Sequence, residues 1–192
     1  MEALIASTDD YDTLWGAACA LEAMRAEAAP ALNTILKLPA HESGRVAGAA
    51  ASAIGHIGVR ALPHLIGILK NGTPRSKEFA CDALGRLGPK AKKALPLLAR
   101  LREDPACEGD FRAWQILAAA EISLDKKLAP ALLVMSDGKD IDLPIRAKTA
   151  LEQMDLSRDE TVNAVQRELA DIGDSDPEMA AALLKVLRRF RR

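Results

Sequence analysis

The sequence predicts an all-helical protein built from a repeated two-helix unit, and three observations carry this. Ala occurs 36 times and Leu 27 times in 192 residues, and both are strong helix formers. Aromatic residues make up only 3%, whereas strands favour aromatic and β-branched side chains. A short phrase also recurs along the chain every 30 to 35 residues, the mark of a repeat architecture. With 49% hydrophobic and 28% charged residues, the chain has material for a sizeable core and lacks the composition of a disordered segment. Three Cys are too few for a disulfide scaffold at this length.

The phrase is clearest at Ala53-Ile54-Gly55-His56-Ile57-Gly58 and Ala83-Leu84-Gly85-Arg86-Leu87-Gly88. A second phrase follows each, Ala61-Leu62-Pro63 and Ala94-Leu95-Pro96. Weaker copies stand at Ala20–Met24 with Ala29-Pro30, at Ala118–Ser123 with Ala129-Pro130, and at Ala150–Asp155.

Each phrase has a mechanical reading. Pro74 suits the first turn of a helix. Phe79, Ala80, Ala83, Leu84 and Leu87 then fall on one stripe at the helical period. Gly88-Pro89 ends the helix, because Gly accepts a left-handed backbone and Pro cannot continue the helix. Ala91, Ala94, Leu95, Leu98 and Leu101 make the apolar face of the next one. The same reading predicts helices near 10–26, 28–38, 43–57, 60–70, 74–87, 89–103, 109–123, 125–136, 143–155, 158–173 and 176–191. Breaks fall at Pro39, Asn71-Gly72, Asp104-Pro105, Asp137-Gly138, Pro144 and Gly173 to Pro177. No long linker intervenes, so one domain over 1–192 is expected. It has a leading helix at 10–26 and helix pairs at 28–57, 59–87, 89–123, 125–155 and 158–191.

These phrases resemble the HEAT-repeat family, in particular the short repeats of phycobilisome bilin lyases. The likeness is clear over 45–103 and weaker beyond. It implies a right-handed α-solenoid of about five helix pairs plus the leading helix. Such solenoids serve as scaffolds, chaperones, inhibitors and occasionally enzymes. Deoxyhypusine hydroxylase is similar in fold but holds two irons through several His-Glu pairs, and this chain has only His41-Glu42 among three His. HEAT-like DNA glycosylases are faintly similar through Trp15, Trp114 and a basic track, but no motif aligns residue by residue.

Charge is segregated although it sums to −1. Residues 1–44 carry net −5, 45–102 net +9, 103–182 net −10 and 183–192 net +5. Such segregation permits patches of opposite sign. The N-terminal residues lack the basic and apolar regions of a signal peptide, and no apolar run reaches the roughly 18 residues that span a bilayer. With Cys19, Cys81 and Cys107 scattered, a reduced, cytoplasmic, membrane-free protein is expected.

No catalytic or metal-binding constellation is recognisable. His41, His56 and His64 lack zinc-site spacing. Cys81 stands beside Asp82, which disfavours a thiolate. No phosphate-binding Gly motif occurs. The reading is therefore not an enzyme, with no cofactor and no metal. The C-terminal helix alternates Leu183, Leu184, Val186, Leu187 and Phe190 with five cations and reads as a capping helix whose charges suit its C-terminal end.

The repeat register supplies the candidate site. In solenoids of this kind one helix of each pair lines the concave side, and its polar positions meet the partner. On 74–87 the row opposite Leu84 is Glu78, Asp82, Arg86. Shifted by the repeat it reads Trp15, Cys19, Ala23; Gly48, Ser52, His56; Ala113, Leu117, Glu121; and Ile145, Thr149, Gln153. With the cations Arg75 and Lys77, the partner-binding set is Trp15, Ser52, His56, Arg75, Lys77, Glu78, Asp82, Arg86, Glu121, Thr149 and Gln153. The expected function is a monomeric, non-catalytic scaffold or adaptor binding another protein, one with an acidic surface fitting the basic block. A second reading is a nucleic-acid binder, with Arg45, Arg60, Lys70, Arg75, Lys77, Arg86, Lys90, Lys92 and Lys93 on phosphates. The acidity of 103–182 opposes it, so nucleic-acid binding is expected to be weak or absent. A third is a chromophore-lyase-like chaperone.

Overall fold

The structure, a computed structural model, describes residues 10–36, 44–102, 110–138, 142–173 and 175–190. His41, Cys107 and the breaks at Pro39 and Asp104-Pro105 lie outside them, as does the side chain of Arg45. The described residues are helical with no strand, and they form two compact units, Met1–Ser123 and Leu124–Arg192.

The first unit contains α1 (Tyr11–Met24), α2 (Leu32–Ile35), α3 (Gly44–Ile57), α4 (Leu62–Asn71), α5 (Pro74–Leu87), α6 (Leu95–Arg102) and α7 (Asp110–Ser123). The long helices stack in order, α1 on α3, α3 on α5 and α5 on α7. Each short helix, α2, α4 or α6, packs against the long helix that follows it. This is the neighbour-to-neighbour packing of an α-solenoid.

Local chemistry explains the boundaries. Asp10 caps α1 by accepting from Thr13 N at 2.9 Å, and Thr73 caps α5 ahead of Pro74, each satisfying an amide the helix leaves open. Gly58 (φ 87°) and Gly88 (φ 58°) end α3 and α5 in the left-handed region. The short helices open as 3-10 turns at Arg25–Ala31, Val59–Ala61 and Gly88–Ala94. The continuous α-helices predicted near 28–38 and 89–103 are corrected to that extent. Pro30 and Pro89 lie within two of these turns, where a residue without an N–H is no loss.

The core of this unit is made of small side chains. Ala18, Ala50, Ala51, Ala53, Ala80 and Ala83 are fully buried among Leu21, Ile54, Leu65 and Leu84. Gly55 lets α3 and α5 meet: a Cβ there would stand 2.8 Å from the Cβ of Arg86.

The second unit contains α8 (Ala129–Met135), entered through a 3-10 turn at Lys126–Leu128, then α9 (Asp142–Gln153), α10 (Arg158–Ile172) and α11 (Pro177–Phe190). Helices α9, α10 and α11 all pack on α8, and α10 packs on α11. Val165, Leu183, Val186 and Leu187 are buried together, with Leu133, Val162, Leu169 and Phe190 around them. A capping box opens α10: Ser157 Oγ accepts from Glu160 N, while Glu160 Oε2 accepts from Ser157 N at 2.8 Å. Among the described residues no single helix is long and apolar enough to cross a membrane.

Candidate functional site

The stack of α1, α3, α5 and α7 brings most of the sequence-predicted residues onto consecutive helices of one layer. Trp15 on α1 is 37% exposed. His56 on α3 and Arg86 and Arg75 on α5 reach solvent, and Lys77, Glu78 and Glu121 are half-buried. Ser52 on α3 is half-buried and its hydroxyl donates to Glu22 Oε1 on α1 at 2.5 Å, so the two helices are tied at this row. Thr149 and Gln153 belong to the second unit and are exposed on α9. The Thr149 hydroxyl donates to Ile145 O one turn back at 3.1 Å.

Two positions of the expected outward row turn inward. Asp82 is only 6% exposed. Helix α5 is flanked by α3, α4 and α7, which cover nearly its whole circumference. The carboxylate is accommodated because Arg86 Nε, one turn on, donates to Asp82 Oδ1 at 2.8 Å, a charge-assisted bond. Asp82 is therefore a buried anchor for Arg86 and not a contact for a partner. Leu117 on α7 is fully buried and leaves the row for the same reason. Cys81 is buried and Cys19 half-buried, both as free thiols, and half-buried Trp114 packs against the core of the first unit.

The sequence reading missed Gln115. It is 1% exposed on α7, and among the described residues neither its Oε1 nor its Nε2 has a hydrogen-bond partner. A Gln in a helical stripe carries no signal that it faces inward. The reading also missed a cleft in the second unit. It has a volume of about 430 Å³ and lies between the 3-10 turn before α8 and the exposed side of α10. Lys126 Nζ donates to Glu160 Oε1 at 3.0 Å along its wall, with Lys127, Asn163 and Arg167 beside them. The backbone amide of Ser157, then the Lys126 ammonium, hold the Glu160 carboxyl down to about 2. Among the described residues no cluster of three or more His, Cys, Asp or Glu could hold a metal ion.

Taken together, a stack of helix pairs that meet through Ala and Gly and turn at left-handed residues defines an all-α helical-repeat protein. Residues 33–120 match the family model of HEAT repeats. That stretch is similar to HEAT repeats, as its Ala-aliphatic-Gly phrases implied. No curated protein matches the chain.

Proposed function

We propose that this chain is a non-catalytic scaffold that acts as a monomer in the cytoplasm and binds another protein on the layer α1–α3–α5–α7. The observation that carries the reading is the display of Trp15, His56 and Arg86 at the surface of successive helices of one rigid stack. Trp and Arg are the side chains that most often anchor protein interfaces. A helical stack presents them at fixed spacing without ordering a loop. Two groups that nucleophilic or acid–base chemistry could recruit are committed to structure instead. Cys81 is buried and Asp82 is held by Arg86. HEAT repeats suit the role because each pair adds surface without altering the chemistry of its neighbours.

The test is a photo-reactive side chain placed at Trp15 or His56 in the full chain, with Pro177 at the start of α11 as the control position. The expected outcome is one protein partner captured from both test positions and not from the control. Capture from the control alone, or of unrelated proteins at every position, would count against this face.

A further inference from the structure

The short-helix side of the first unit carries a charge distribution that the fold does not require. Arg60, Lys70, Lys90, Lys92, Lys93 and Arg100 are all exposed there. Their neighbours Ala61, Leu65, Leu69, Ala91, Ala94 and Leu98 face the core, so the cations lie on the opposite side of the same helices. Among the described residues none of the six is in an ion pair. Residues 59–102 contain two acids only, Glu78 and Asp82. Glu78 is half-buried on α5, and Asp82 is buried and held by Arg86. No exposed carboxylate of 59–102 therefore offsets six exposed cations.

The register of these cations points away from a purely structural role. Arg60-Ala61-Leu62-Pro63 and Lys93-Ala94-Leu95-Pro96 place a cation three residues before the Pro that opens each short helix, and Lys127-Leu128-Ala129-Pro130 repeats it. All three cations are exposed. Each of them lies in the 3-10 turn that precedes the α-helix, in its last turn, where the dipole of the α-helix asks for no cation. The first copy, Glu27-Ala28-Ala29-Pro30, places an exposed acid there instead. The position thus accepts either sign, and three of the four copies carry a cation.

We infer that the face formed by α4, the Gly88–Ala94 turn and α6 binds a short Asp/Glu-rich segment of a partner protein. From Arg60 to Lys70 is about 15 Å along the helix direction, and the Gly88–Ala94 turn with its three cations packs against α4. An extended segment rises about 3.3 Å per residue, so some five residues cover the face. Four of the six cations are Lys, point charges suited to carboxylates without a fixed geometry. The chemistry is wrong for nucleic acid on two counts. No aromatic side chain of 59–102 is exposed to stack on a base. A duplex needs about 34 Å per turn, and the preceding copy shows Glu27 at the register where a phosphate contact would continue. The inference takes its class of partner from the scaffold reading but uses a different face, so the two fail separately: crosslinking at Trp15 and His56 is silent about this one.

The experiment titrates the full chain against a fluorescein-labelled decapeptide of alternating Asp and Glu, followed by anisotropy. A decapeptide of Asn and Gln and a duplex DNA of about two turns are the comparisons. The expected result is saturable binding of the acidic peptide at about 20 mM salt, weakened roughly tenfold or more at about 200 mM, and none of the neutral one. Reversing Arg60, Lys92, Lys93 and Arg100 to Glu should abolish it, while Lys185→Glu with Arg188→Glu on α11 should change it less than about twofold. If the reversal variant loses its helical circular dichroism, the same four changed to Gln serve instead. The inference is overturned by no peptide binding at low salt, by binding indifferent to the four changes, or by tighter binding of the duplex that the same changes remove. The last outcome would make the face a nucleic-acid surface.

Discussion

The two units solve helix packing with different materials. In the first, α1, α3, α5 and α7 approach through Ala and Gly, and the fully buried residues include long runs such as Ala80 to Leu84, apart from the nearly buried Asp82. In the second, Ala129, Ala147 and Ala150 are buried too, but α10 and α11 meet through the larger Val165, Leu183, Val186 and Leu187, with Phe190 beside them. The exposed ends of this unit are tied by charges: Lys126 with Glu160, Arg189 Nη1 with Asp137 Oδ1 at 2.5 Å, and Arg158 Nη2 with the carbonyl of Phe190. Close contact through small residues leaves no slack, because interiors are packed to crystal-like density. Larger interdigitating side chains tolerate more adjustment. The recurrent Ala-aliphatic-Gly phrase is thus the signature of the tight solution, and the HEAT match over 33–120 ends where the first unit does, within a few residues.

The sharpest way to break this contrast is Gly55→Ala. The added methyl would sit 2.8 Å from Arg86 Cβ, an atom anchored to the α5 backbone. A loss of about 1–3 kcal/mol is expected from overpacking, read as a fall in the denaturant midpoint. A similar Gly→Ala change at Gly48, with open space around its Cβ position, should stabilise α3 by up to about 1 kcal/mol. Equal effects at the two positions would sink the close-packing account.

Gln115→Met removes a buried amide with no partner among the described residues while nearly keeping its shape. A gain of about 1–2 kcal/mol is expected, since an unsatisfied polar group costs about that much. A loss would mean that the amide is satisfied in solution.

The turn residues offer a smaller effect. Arg25 stands at φ 53°, ψ −127°, the same conformation as Gly173, in a region that suits Gly alone. Arg25→Gly should raise stability by about 0.5–1 kcal/mol, the relief of strain exceeding the added chain entropy. Asp155 at φ 47° should gain less by the same change, because Asp tolerates the left-handed region better than Arg. Thermal midpoints of the two variants decide the order.

The smallest effect belongs to the exposed cap of α10. Glu160 titrates at about 2 in the folded chain against an ordinary 4.5. Its folded value is depressed, so its contribution is complete above about pH 4.5 and fades as pH falls toward 2. Glu160→Gln should flatten the acid dependence of stability in that window. An NMR titration midpoint for Glu160 near its ordinary value would remove the basis for the prediction.

Much of the fold was legible because its signals are local. The helices at 44–57, 74–87, 110–123 and 158–172 agree with the predicted ones to within a residue or so. Caps, Pro at helix starts and Gly at helix ends act over a single turn. The candidate site was less legible. Trp15, His56, Arg75 and Arg86 were placed at the surface correctly, since one face of a helix must meet solvent. Asp82 was misplaced because a period of 3.6 cannot tell a helix with one buried side from one enclosed by three neighbours. The basic face was visible in the sequence as a +9 block, but its separation from the α1–α3–α5–α7 layer depended on which helix each cation occupied.

By itself the sequence determined the helical class, the repeat period and the turns. Each depends on backbone preferences that residues express within four or five positions of themselves. Only the tertiary structure decided that Asp82 and Gln115 are buried, that Ser52 binds Glu22, and that Arg25, Leu124 and Asp155 take a left-handed turn that Gly takes elsewhere. Those outcomes follow from packing one repeat on the next, some thirty residues away. The stack imposes the same turn on every copy whatever residue stands there, and burial is set by the neighbours that close over a side chain.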